Sequence, residues 1–154
     1  YMLAKGSTAL PESWQVVIKK SHNHVMLGHL QEWFFTHAAG IQPDPETLAY
    51  KKIIIKPSIV GDLNFAKATF ESPYGSILSD WKISDGRLNM KVEIPANTSA
   101  KIYVPLDFAG KQRSSQDVYE SGLPAVKSKG LKFLKQEAGY AIFEAGSGSY
   151  VFTD

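Results

Sequence analysis

The chain has 154 residues, of which 44% are hydrophobic and 21% charged, and its formal net charge is +2. That length can bury a real core, and so small a charge surplus gives no warrant for nucleic acid or an anionic membrane as partner. Cysteine is absent, which removes disulfides and thiolate metal sites, and no apolar run is long enough to span a bilayer.

Residues up to about Gly40 read as helical. Leu10 precedes Pro11, which biases it away from the α region and ends a first helical stretch. A second helix is predicted behind a cap at Ser21 or Asn23, with Val25, Met26, Leu27, Leu30, Trp33, Phe34 and Ala38 as its apolar members. Gly40 is placed to stop it as the C′ residue. The apolar arc is wide, because Leu27, Leu30, Phe34 and Phe35 sit beside Met26 and Trp33. A helix that apolar on most sides is normally buried on most sides. Partner helices are therefore expected on the N-terminal side. Together with an opening on Tyr1, this leads us to expect the C-terminal piece of a longer protein, so the absence of a visible secretion signal carries no information.

After the connector Gln42-Pro43-Asp44-Pro45 the pattern changes to period two. Strands are predicted at Lys52–Lys56, Leu63–Phe70, Ile77–Ile83, Leu88–Ile94 and Ile102–Val104. Further short strands are predicted at Leu131–Gln136, Tyr140–Phe143 and Ser149–Phe152. Ser72-Pro-Tyr-Gly75 and Asp85-Gly86 are the turn signals between them. Ala109–Ser121 is polar and reads as loop or edge. Many short strands with turns at this spacing indicate a β-sandwich. Lys51, Lys52, Lys56, Lys67, Lys82, Lys91 and Lys101 are interleaved with apolar strand residues, as on a solvated sheet face.

The candidate chemistry lies near the start. Glu12 and Trp14 are followed by the pair Asn23-His24. A carboxylate moves protons, an indole stacks on the C–H faces of a sugar, and an imidazole bonds hydroxyls. Glycoside hydrolysis needs one carboxylic acid to protonate the leaving oxygen and a second group to activate water. Each residue also has a plainer reading: Glu12 as a solvated loop residue, Trp14 as a packing aromatic, His24 as a cap or core histidine. Glu32 is the competing carboxylate, in mid-helix. The histidines His22, His24 and His29 lack the one-face spacing of helical ligands, so no metal and no cofactor is expected. Gly146-Ser-Gly148 is a turn. Pro73-Tyr74-Gly75 and Trp81 suit interlayer packing better than a sugar-contacting patch.

Read as blocks, GSTALPESW, SHNHVMLGHLQEWFFTHAAGI, AYKKIIIKP, SPYGSILSDW, VEIPANTSAKIYVP, ESG and GSGSYVF resemble, in order, the end of the bacterial α-L-rhamnosidases of glycoside hydrolase family 78. The resemblance covers nearly the whole chain. It implies an α+β fragment: residues 1–42 as the last helices of an (α/α)6 catalytic barrel, and residues 43–154 as a jelly-roll-like antiparallel β-sandwich. The implied activity is inverting hydrolysis of terminal α-L-rhamnosyl residues. Glu12 matches the family's general base and His24 its sugar-contacting histidine, with Trp14 beside the sugar. The general acid belongs to an earlier part of the barrel, so the fragment alone is expected to be inactive.

Implied partners are a rhamnose-containing glycoside or polysaccharide and the N-terminal remainder of the same enzyme, with no nucleic acid and no membrane insertion. The implied setting is periplasmic or extracellular. Pro11 replaces an aromatic residue common in relatives, and Gln15–Lys20 is a short loop; both bear on the rim of the site. The alternative expectation is a non-catalytic β-sandwich that binds carbohydrate or braces a larger protein.

Overall fold

A computed structural model of the chain describes residues 3–9, 11–13 and 20–154. It divides into two compact units, with the boundary between Phe34 and Phe35.

The first unit holds short helical turns. A 3-10 turn covers Leu3–Lys5 and another covers Val25–Gly28, followed by α1, His29–Trp33. A π turn over Phe34–Ala38 comes next, and all of it but Phe34 falls in the second unit. The single helix expected from a Ser21 or Asn23 cap is therefore replaced by three windings that begin after His24, whose side chain makes no capping bond. Ser21 is committed elsewhere: its N–H and C=O both bond Glu12. Gly28, the poorest helix former in the run, sits where the 3-10 winding passes into α1. The predicted stop holds, with Gly40 at φ +79° in the left-handed region that glycine enters without strain.

The second unit is an antiparallel β-sandwich. Its strands are β1 Ile41–Pro43, β2 Lys52–Ile55, β3 Phe65–Ser72, β4 Gly75–Ser84, β5 Arg87–Ile94, β6 Ser99–Pro105, β7 Asp107–Phe108, β8 Lys111–Gln112, β9 Tyr119–Glu120, β10 Leu123–Pro124, β11 Leu131–Glu137, β12 Tyr140–Ala145 and β13 Gly148–Thr153. One sheet has five strands in the order β1-β2-β6-β12-β11, and the other six in the order β10-β9-β13-β5-β4-β3. Every pairing within them is antiparallel except β2 with β6.

Alternation decides what lies between the sheets. Leu88, Met90, Val92 and Ile94 on β5 face Ala100, Ile102 and Val104 on β6 and Ala141, Phe143 and Ala145 on β12 within one buried cluster. The intervening residues of β5 point outward, as a period of two requires. Asp85 and Gly86, at φ +54° and +70°, form the tight turn that the β4–β5 register closes at Ser84 and Arg87, the primed geometry that Asp-Gly favours.

Trp81 belongs to this core and not to a surface patch: it is fully buried, and its indole N–H donates to the Ala38 carbonyl at 2.8 Å. Ser79, equally buried, donates to the Ala39 carbonyl at 2.6 Å. These two bonds satisfy polar groups that would otherwise be costly to bury, and they fasten residues 38–39 to β4. The polar stretch 109–121 carries more order than a loop. It contributes β8, a 3-10 turn over Ser115–Asp117 with a complete capping box from Ser114, and β9, which pairs with β13.

Candidate active site

Two of the sequence candidates, Glu12 and His24, lie among the described residues. Glu12 follows the buried Pro11 and is held by a reciprocal tie, its N–H donating to the Ser21 carbonyl at 2.8 Å. The Ser21 N–H donates back to Glu12 Oε2 at 3.2 Å, and Lys20 Nζ stands 3.7 Å from Oε1. Glu12 is thus tied to Lys20 and Ser21, which precede the helical turns.

Glu12 remains 40% exposed at its side chain, so a ligand can reach it. Its carboxyl is held below the ordinary range, first by the Ser21 N–H, then by the Lys20 charge, with His24 adding a smaller pull in the same direction. Hydrogen bonds and positive charge both favour the ionised form. A carboxylate kept ionised is in the protonation state a base needs at rest.

His24 is half-buried at φ −98°, immediately before the Val25–Gly28 turn. Its imidazole makes no hydrogen bond to the described residues, and either ring nitrogen is of a kind that bonds hydroxyls. Its charge adds a minor lowering influence on the Glu12 carboxyl. Trp14 lies outside the described residues. Glu32 is exposed in the first turn of α1. The roles of Lys20 and Ser21 as partners of Glu12 escaped the sequence reading, which took Ser21 for a candidate helix cap: they stand eight and nine positions away, and nothing in that spacing announces hydrogen bonds to it.

Among the described residues no group of three or more His, Asp or Glu side chains is arranged to hold a metal ion. No helix among them is long and apolar enough to cross a membrane. What the arrangement can do is accept a proton at Glu12 and bond hydroxyls at His24.

Residues 40–118 match the family model for the bacterial alpha-L-rhamnosidase C-terminal domain. The α-L-rhamnosidase of Streptomyces avermitilis is 30% identical over 162 aligned positions, covering 99% of this chain and 14% of that protein. The crystal structure of the Streptomyces avermitilis enzyme complexed with L-rhamnose superposes with a TM-score of 0.78 at 29% identity, over 100% of this chain and 14% of that one. The α-L-rhamnosidase from Dictyoglumus thermophilum gives a TM-score of 0.76 at 31% identity, over 99% of this chain and 17% of that one. The chain spans only a small C-terminal share of the relatives it matches. It belongs to the bacterial α-L-rhamnosidase family and carries that family's C-terminal β-domain.

Proposed function

We propose that the chain is the C-terminal part of an inverting α-L-rhamnosidase that releases terminal α-L-rhamnosyl residues from glycosides. Residues 1–42 are the last helices of its catalytic barrel and residues 43–154 its C-terminal β-domain, with β1 at the junction. Glu12 is the general base: it takes a proton from the water that attacks the anomeric carbon on the face opposite the leaving group. His24 bonds hydroxyls of the bound sugar, and Trp14 stacks against its C–H face. The general acid is supplied by an earlier part of the parent enzyme, because inversion uses two carboxyl groups set far enough apart to hold a water between them.

The observation that carries this reading is the similarity to α-L-rhamnosidases along 99% of the chain, joined to an ionised, reachable Glu12 beside a half-buried His24. The exposed apolar residues Val25, Met26, Leu30 and Phe34 fit a segment that docks among other helices.

Hydrolysis of p-nitrophenyl α-L-rhamnoside by the complete parent enzyme, with and without Glu12→Gln, tests it. The substitution keeps the shape and removes the base, so kcat falls about 10²- to 10⁴-fold with substrate binding retained. A parent that is active and indifferent to the change returns Glu12 to the status of a loop residue. A parent that never cleaves the rhamnoside favours the second reading, a non-catalytic carbohydrate-binding or bracing module.

A further inference from the structure

One row of outward side chains crosses five strands of the six-stranded sheet, from the β3 edge to β9. Strand register sets Phe65, Lys82, Asn89, Thr153 and Tyr119 directly opposite one another on β3, β4, β5, β13 and β9. Their sequence neighbours Trp81, Leu88, Met90 and Phe152 face the core, so the row faces solvent. It begins and ends in an uncovered ring, Phe65 at 62% exposure and Tyr119 at 40%. Four inter-strand spacings separate them, about 19 Å.

Between the rings, Lys82, Asn89 and Thr153 join Ser84 and Arg87 in lining a cleft with Asp154 at its side. The charges of this row differ from those of the next one on the same face. There Lys67 pairs with Asp80 at 3.1 Å and Lys91 with Glu93 at 2.6 Å. Among the described residues neither Lys82 nor Arg87 has a carboxylate partner. Asp154 does not serve them, because Arg113 Nε and the Leu88 N–H occupy its oxygens. Asp85, at the hairpin tip, lines an adjoining cleft that Arg87, Lys111, Arg113 and Asp117 share, and Arg87 forms no ion pair there among the described residues.

We propose that this row is a binding platform for a saccharide strand bearing carboxylate groups, such as a uronate-containing polysaccharide. Lys82 and Arg87 take the carboxylate, and the guanidinium offers it a two-pronged bond. Asn89, Thr153 and Ser84 exchange hydrogen bonds with ring hydroxyls. Phe65 and Tyr119 stack on sugar C–H faces at the two ends. The occupant's being a saccharide rests on the glycoside hydrolase reading; its negative charge rests on the unpaired cations alone.

Native electrophoresis of the complete chain through gels containing polygalacturonate, dextran or no polysaccharide tests the platform. Polygalacturonate slows the chain, dextran does not, and added salt weakens the retardation as screening predicts. The double substitution Lys82→Gln with Arg87→Gln raises the apparent dissociation constant about tenfold or more, the order expected for losing hydrogen bonds to a charged group. Phe65→Ala and Tyr119→Ala each weaken binding severalfold. Lys91→Gln, from the paired row, leaves it unchanged; near-ultraviolet circular dichroism checks that each variant is folded.

The proposal is overturned by an unretarded wild-type chain, by equal retardation in dextran, or by Lys91→Gln binding as weakly as the double variant. Aryl rhamnoside hydrolysis by the parent, run in parallel, separates the two readings. An active parent whose chain ignores polygalacturonate loses the platform alone, and an inactive parent that binds it loses the hydrolase reading alone.

Discussion

In the sandwich, Ile53, Ile55, Met90, Val92 and Ile102 have no access to solvent, while in the helical unit Val25 is 84% exposed and α1 buries no residue at all. The amino acids are of one kind; the difference is in what surrounds them. Two sheets supply each other's cover, so the strand pattern is satisfied inside this chain. A five-residue α1 is too short to be stable by itself in water, and Leu30 on it is 62% exposed. The sandwich buries its own apolar pattern, whereas the described helical turns leave Val25, Met26, Leu30 and Phe34 exposed.

That contrast breaks first at the sandwich core. Trp81→Ala removes the largest fully buried side chain and the bond to Ala38, and large-to-small changes of this kind cost about 3–5 kcal/mol. Urea unfolding of the chain measures it. Trp81→Phe separates the two contributions, since it keeps most of the apolar volume and strands the Ala38 carbonyl, at a cost of about 1–3 kcal/mol. A loss below 1 kcal/mol for Trp81→Ala would deny that the sandwich is the self-sufficient unit.

Much of that core was legible in the sequence. Leu88, Met90, Val92 and Ile94 alternate because one face of β5 is buried and the other wet, and Asp85-Gly86 names its turn because few other pairs accept two positive φ angles. The parallel pairing of β2 with β6 was not legible, since no local pattern records which distant strand lies alongside. Nor were the bonds from Ser79 and Trp81 to residues 39 and 38, which join positions about forty apart. At the candidate site, Glu12 and His24 could be named, because a carboxylate and an imidazole carry the chemistry wherever they stand. The tie between Glu12 and Ser21 was not legible, and the Ser21 cap fails because the windings begin only at Val25, after His24.

A milder perturbation uses pH. Asp44 is buried beside β6, accepting the Glu46 N–H at 3.0 Å and meeting Lys101 Nζ at 3.2 Å. Its carboxyl is held below the usual 3.8, first by the Glu46 N–H and then, against the opposing effect of burial, by Lys101. A group with a depressed folded value contributes fully above its unfolded value, and that contribution is lost as pH falls through the folded one. Asp44→Asn therefore destabilises the chain at neutral pH, and the gap to wild type closes as pH falls below the ordinary carboxylate range. Lys101, raised above its usual 10.5 by the same partner, predicts a matching loss on the alkaline side as pH rises through its folded value. Thermal unfolding across both limbs reads the two effects, and a gap independent of pH would refute the pairing.

The smallest expected effect sharpens the comparison most. Leu30 is exposed on α1, so Leu30→Gln in this chain shifts stability by no more than about 0.5 kcal/mol, as for surface sites in general. In the proposed parent the same leucine packs among barrel helices, where deleting buried apolar volume costs about 2–5 kcal/mol and burying the amide adds to it. One substitution thus gives two answers according to what lies beside it. Melting temperatures of chain and parent, each with and without the change, decide the matter. Indifference in both would leave α1 an exposed helix with no docking partner and remove the barrel from the reading. A large loss in the isolated chain would mean that the helical unit already buries its leucine, and the distinction between the two units would fall.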